Sequence, residues 1–244
     1  MDFEPVRAKM EGRWRRGESL PGLPAHLYDI FPDRLVESEL GEIPDGWKVG
    51  TMSEEFQITM GQSPPGSIYN EDGVGLPFYQ GRVDFGFRFP VRRVFCTAHT
   101  RFAEAGDTLI TVRAPVGDTK MAMERCFIGR GVAAVRHATV SRSYTSYTYY
   151  FVRSLKPVLE RFEAEGAVFG AITREGIGSI QCSVPPHDLV MQFEAMCGPI
   201  DDRILQNEHE SCTLAGLRDA LLSKLIRGEI WVRDAERFLE ERGL

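Results

Sequence analysis

The chain has 244 residues, 43% of them hydrophobic, and a formal net charge of −6 at pH 7. This length allows one large domain or a domain with an extension, and the apolar share excludes a chain disordered by composition. No run of about 18 apolar residues occurs, which argues against a membrane-spanning helix, and residues 1–18 lack the apolar stretch of a signal peptide. The five cysteines, Cys96, Cys126, Cys182, Cys197 and Cys212, are odd in number and form no CxxC pair. That pattern fits reduced thiols in a cytoplasm better than a disulfide framework.

Residues 1–45 read as a connector. Gly17, Pro21, Gly22, Pro24, Pro32, Gly41 and Pro44 punctuate them and leave one short helical stretch at Ala25–Ile30. Residues 46–186 read as short strands joined by turns, with Trp47 packing at the entrance. Asp107–Val112 is one strand, stopped by Arg113-Ala-Pro-Val-Gly117, where proline and glycine serve the backbone of a turn. Gly131–Val135 is a second strand, and the alternation of Ile180, Cys182 and Val184 marks a third. Leu155, Leu159 and Phe162 have helical spacing, which predicts a helix over Leu155–Ala164. The aromatic run Tyr144, Tyr147, Tyr149, Tyr150 and Phe151 is assigned mostly to strand-core packing, with Tyr144 as its exposed member.

The chemistry of the chain changes after Pro185-Pro186. Between His187 and Arg227 the only proline is Pro199 and the only glycines are Gly198 and Gly216. A seam at three- and four-residue spacing runs through Phe193, Cys197, Ile200, Ile204, Asn207, Ser211, Leu214, Arg218, Leu221 and Leu225. Most of these positions are apolar, which predicts one long helix over 187–228 that needs a partner along its length. At ~1.5 Å per residue such a helix is a rod of about 60 Å. Asn207, Ser211 and Arg218 weaken a coiled coil but fix its register. Gly228 is placed to end the helix, and Asp234 to cap a last short helix, Ala235–Arg242, within a tail of 229–244. The expected fold class is α+β: a mixed α/β domain with short strands, followed by one long coiled-coil-forming helix.

The net charge hides an asymmetry. Pro77–Arg153 holds 12 Lys/Arg against 5 Asp/Glu, whereas the remainder is strongly acidic. A basic middle between acidic flanks is the electrostatic footprint of a nucleic-acid face. A merely solvated, arginine-rich surface gives the same count.

Catalytic chemistry finds no home in the sequence. There is no GxxxxGK[ST] loop and no GxGxxG after a strand, since Gly176-Ile-Gly178 lacks the third glycine. The two Pro-Pro pairs, Ser63-Pro-Pro-Gly66 and Val184-Pro-Pro-His187, are not the Asn/Asp-Pro-Pro-aromatic motif of amino-methyltransferases. No HExxH or paired Cys/His spacing points to zinc. Cys96 with His99, or Cys126 with His137, is the nearest approach to a nucleophile pair, and a cysteine is commonly just a small buried apolar group. No catalytic residue, metal or cofactor is expected.

Several segments together resemble the specificity subunit of type I restriction-modification systems. Residues 2–9, Asp-Phe-Glu-Pro-Val-Arg-Ala-Lys, look like the family's segment after its central conserved helix, and Phe31–Trp47 like the lead-in to its second recognition domain. Gly61-Gln-Ser-Pro-Pro65, Leu76-Pro-Phe-Tyr-Gln-Gly81 and Gly106–Gly117 resemble landmarks of that domain, and Leu221–Ile230 the end of the distal conserved helix. The order and spacing of these motifs carry the resemblance, which covers almost the whole chain. A complete family member has two recognition domains and two conserved helices paired antiparallel. This chain has one of each and resembles the C-terminal half: a natural half-subunit, a truncated product or an expressed fragment.

The resemblance implies a target-recognition domain at 46–186 that reads one half of a bipartite site in double-stranded DNA. It implies that the helix spaces the two halves and docks the methyltransferase subunits and, through them, the restriction subunit. The expected DNA-facing residues are Gln80, suited to a bidentate contact with adenine, and Arg82, Arg88, Arg92, Arg93, Lys120 and Arg142 in basic loops. Ser143, Tyr144, Thr173 and Arg174 complete the set. Phe193, Ile200, Ile204, Leu214, Leu221 and Leu225 are the expected helix-pairing positions of a homodimer. Two other readings stand beside this one: a decoy that docks methyltransferase subunits without reading DNA, and an enzyme whose site has no recognisable motif.

Overall fold

The structure is a computed structural model that describes residues 3–18, 20–97, 101–138, 144–164 and 171–231. His99, Arg142, Ser143, Asp234 and the helix expected at Ala235–Arg242 lie outside these, as does the side chain of Phe162. The chain divides into two units, Met1–Gly198 and Pro199–Leu244.

The first unit opens with α1 (Glu4–Met10), whose Val6 and Ala8 are buried, and a 3-10 turn at Ala25–Ile30. The hairpin β1 (Leu35–Ser38) and β2 (Gly41–Pro44) follows. Next come β3 (Lys48–Thr51), α2 (Met52–Glu55), β4 (Phe56–Met60), β5 (Tyr69–Asn70), β6 (Leu76–Tyr79), β7 (Phe95–Cys96) and β8 (Phe102–Ala103). The strands β9 (Thr108–Thr111), β10 (Thr119–Met121), β11 (Cys126–Ile128) and β12 (Val132–His137) complete the central part. The helices α3 (Thr145–Ser154), α4 (Lys156–Ala164) and α5 (Arg174–Gly178), the strand β13 (Gln181–Val184) and the helix α6 (His187–Ile226) end the described chain.

Two sheets form the body of this unit. The order β10-β9-β12-β4 makes an antiparallel sheet, and β5-β7-β6-β11-β8 a mixed one in which β6 and β11 run parallel. A pair, β13 with β3, lies beside them. The strands expected from Asp107–Val112, Gly131–Val135 and the Ile180/Cys182/Val184 alternation are β9, β12 and β13. Val132–Val135 is wholly buried, so β12 reads as an apolar run rather than an alternation. One core joins Phe56, Ile58, Ile110, Val112 and Val135 of the first sheet to Phe151, Leu155 and Leu159 of the helices and Ile177 of α5. Burying each such side chain contributes about 1.5–3 kcal/mol.

The aromatic run corrects one expectation. Tyr144–Phe151 leads into and fills α3, not a strand, and Tyr144 is buried rather than exposed. The deciding pattern is the i, i+4 pair Tyr147 and Phe151, whose rings stack on Phe56 at 6.4 and 5.2 Å. Aromatic strand preference is weak when the period of burial is helical.

The first turns of α6 belong to this unit and pack on α3. The Glu194 carboxylate accepts from the Tyr147 N–H at 2.6 Å, Phe193 meets Tyr150 edge-on at 5.8 Å, and the Tyr144 hydroxyl bonds His187 Nδ1. Phe193, expected at a helix-pairing seam, is thus half-buried against the chain's own α3. In the second unit α6 continues from Pro199, which removes one N–H donor from the helix. Gly228, at φ 69°, ends it as expected, with the Glu229 N–H reaching the Lys224 carbonyl at 2.9 Å. Among the described residues no helix is long and apolar enough to cross a membrane.

Candidate nucleic-acid interface

Four segments far apart in sequence meet at one cleft. The Gln62 N–H bonds the Ile128 carbonyl at 2.9 Å, the Gly129 N–H the Tyr79 carbonyl at 2.8 Å, and the Val112 N–H the Gly131 carbonyl at 2.9 Å. The Ser63 hydroxyl accepts from the Arg130 N–H at 3.1 Å. This interlock requires glycine. A Cβ on Gly61 would lie 2.1 Å from the Gly129 carbonyl oxygen, and one on Gly131 would lie 2.3 Å from that of Gln80. The three sequence landmarks at 61–65, 76–81 and 106–117 are therefore neighbours in space.

Above that floor is a concavity of about 310 Å³ lined by Ser63, Gln80, Arg82, Thr111, Arg113 and Arg130, with no carboxylate in its wall. Arg113 and Arg130 are exposed. Among the described residues no side chain pairs with either guanidinium. Arg82 Nε pairs with Asp118 at 2.9 Å, and Asp118 also takes Lys156 at 2.8 Å, so that single carboxylate faces two cations. A concave wall of guanidinium groups, one carboxamide and two hydroxyls suits phosphodiester oxygens and base edges. It offers no nucleophile–base pair. Among the described residues no group of three or more His, Cys, Asp or Glu is placed to hold a metal ion.

No family model matches the chain. A putative type I restriction enzyme specificity subunit of Methanocaldococcus jannaschii, MjaX, is 35% identical over 199 residues, 81% of this chain and 46% of that protein. This chain is a homologue of type I restriction-modification specificity subunits. A second such subunit from the same organism, MjaIX, is 21% identical over 84% of this chain and 48% of its own length. The HsdS subunit of Thermoanaerobacter tengcongensis superposes with a TM-score of 0.55 at 32% identity, over 93% of this chain and 53% of that one. The type I S subunit of M. genitalium, at 17% identity and a TM-score of 0.54, shares the fold. The chain spans about half the length of the curated relatives it matches.

Set on this specificity-subunit fold, the expected DNA-facing residues separate into groups. Gln80 and Arg82 line the cleft. Arg92 and Arg93 lie on the loop that leaves it, paired with Glu124 at 2.5 Å and with the buried Asp84 at 3.0 Å. Lys120 is half-buried and donates to the Phe87 carbonyl at 2.8 Å, and burial holds its pKa below the usual lysine range. Thr173 and Arg174 are exposed; the Thr173 hydroxyl caps α5 by accepting from the Gly176 N–H at 3.0 Å. They follow Ala171, which bridges Arg113, and Ile172, whose N–H bonds the Val112 carbonyl at 2.8 Å.

Two of the expected DNA-facing residues are buried in this structure. Arg88 is buried, its guanidinium 4.4 Å from the Tyr149 ring and donating to the Tyr150 hydroxyl at 2.7 Å. Tyr144 is buried between His137 and His187. An arginine packed against two tyrosine rings stabilises the fold through cation–π contact. Sequence reasoning also passed over Ser63, Arg113 and Arg130. Their signals were Ser63 inside the Gly61–Pro65 landmark, Arg113 in the turn after β9, and Arg130 between Gly129 and Gly131.

Proposed function

We propose that this chain is a non-catalytic DNA-reading half of a type I specificity subunit. Residues 46–186 read one half of a bipartite target in double-stranded DNA, and residues 1–45 connect. The helix at 187–228 sets the spacing between halves and docks the methyltransferase subunits, through which the restriction subunit is reached, and residues 229–244 form its tail. Methylation and cleavage are the work of those partners, in the cytoplasm, where the five thiols stay reduced.

One observation carries this reading: the cleft at which the family landmarks meet holds Arg82, Arg113 and Arg130 beside Gln80. Arginines there position the phosphodiester backbone, while Gln80 offers the two hydrogen bonds that distinguish adenine. A homodimer forms through Ile200, Ile204, Leu214, Leu221 and Leu225 of α6. In support, Ile200 is 58% and Leu214 54% exposed, and Ile204, Leu221 and Leu225 are half-buried.

The test is co-expression with the cognate methyltransferase subunit, followed by mapping of methylated sites. A two-fold-symmetric bipartite motif is expected from a working dimer of halves. Co-purification without any site-selective methylation would replace this reading with that of a decoy.

A further inference from the structure

The loop that leaves the cleft is braced by many hydrogen bonds, yet it displays an aromatic ring to solvent. It runs from Gly81 to Arg93 between β6 and β7. A 3-10 turn at Arg82–Asp84 opens it, and Phe85 and Pro90 bridge across it. The Gly86 N–H bonds the Phe89 carbonyl at 3.1 Å, and the Val91 N–H the Asp84 carbonyl at 2.7 Å. Asp84, 1% exposed, accepts from the Gln80 N–H at 2.7 Å and the Arg93 guanidinium at 3.0 Å. The base is tied to β10 by the Met121 N–H on the Arg88 carbonyl at 3.1 Å, and to α3 by Arg88 against Tyr149 and Tyr150. At the tip Phe87 is 87% exposed, with Val83 and Val91 also exposed. A ring so exposed adds nothing to the core, although each neighbour is held in place. An ordered apolar tip of this kind points to a ligand rather than to packing.

The charge around the ring selects the ligand. Between Arg82 and Arg93 there are four arginines and one acidic residue, and that acid, Asp84, is buried. The exposed guanidinium groups of Arg82 and Arg92 pair with Asp118 and Glu124 on the surface. Such exposed pairs are weak and exchange readily for phosphate. A protein surface rich in basic residues would be repelled, whereas a polyanion with flat apolar faces matches both features.

We propose that Phe87 is a wedge that presses against a base step of duplex DNA, while Arg82 and Arg92 hold the flanking phosphates. The proposal rests on the DNA-reading function above. It adds a contact that unstacks or kinks the duplex and so responds to its deformability.

The probe is a pool of duplexes of random sequence, each carrying 2-aminopurine, titrated with the full chain together with its methyltransferase subunit. Phe87→Ala is expected to weaken binding about ten-fold and to abolish the rise in 2-aminopurine emission, with the salt slope unchanged because no charge is lost. Phe87→Trp is expected to restore affinity, and its indole emission should be quenched on binding. Circular dichroism checks that both variants fold. If the parent binds the duplexes and Phe87→Ala binds equally well, the wedge is refuted and the DNA-reading function stands. If Phe87→Ala instead loses only the methyltransferase subunit, the loop is a protein contact and the wedge is refuted. If the parent binds no duplex in low salt, both proposals fall.

Discussion

At the floor of the cleft a single added methyl has no place to go, because a Cβ on Gly61 or Gly131 would fall on a neighbouring carbonyl oxygen. In α6 beyond Pro199, whole side chains such as Leu214 and Ile226 stand half or more in solvent. The first region is determined by the chain itself: four segments hold one another by backbone hydrogen bonds, and the basic cleft is their by-product. The second follows helix geometry, and among the described residues its apolar side chains find little to pack against. On the function proposed above, the first region would act through its fold and the second through association.

Mutations can break or sharpen that contrast. The largest effect is expected for Gly131→Ala, which should cost about 3 kcal/mol or more of folding stability, since the clash is with backbone rather than a movable side chain. Urea unfolding checks this, and an unchanged midpoint would mean the landmarks do not interlock. Next, Ile200→Gln with Leu214→Gln should leave monomer stability within about 0.5 kcal/mol while weakening self-association ten-fold or more. Light scattering at micromolar concentration measures the second part. A strictly monomeric parent would remove the dimer from the account.

The smallest effect concerns pH. Burial, then the neighbouring His187, holds the His137 pKa below its ordinary 6.5. The folded state thus favours neutral His137, whose contribution is full above pH 6.5 and is lost as pH falls from there through the folded value. Glu55, whose carboxylate lies 3.8 Å from His137 Nε2, is raised by burial and acts with the opposite sign nearer its ordinary 4.5. His137→Gln should accordingly flatten the stability profile just below pH 6.5 and leave it unchanged above. Thermal unfolding between pH 5 and 8 tests this, and parallel profiles for parent and variant would contradict it.

Much of the architecture was legible in the sequence because its signals are local. β9, β12 and β13 announce themselves by apolar runs or alternation, and α6 by a long stretch nearly free of proline and glycine. α3 was misread because Tyr147, Tyr149, Tyr150 and Phe151 favour strands individually, while their burial follows the helical period set by Phe56 across the core. The site was less legible than the fold. Arg88 looked like its neighbours Arg92 and Arg93, and only a tyrosine 62 positions away makes it a buried residue. Arg113 and Arg130 were hidden for the opposite reason. Each lies in a turn whose proline or glycines have a sufficient backbone explanation, and their common cleft exists only after β9, β11 and β12 come together.

The central claim, that this cleft grips DNA, is tested most directly by the salt dependence of duplex binding. The comparison is between the parent and Arg113→Ala/Arg130→Ala, each bound to the methyltransferase subunit. Two lost phosphate contacts should reduce the slope of log K against log salt by about 1.8, with folding unchanged because both side chains are exposed. An equal slope and equal affinity in the two proteins would place the DNA elsewhere on the molecule.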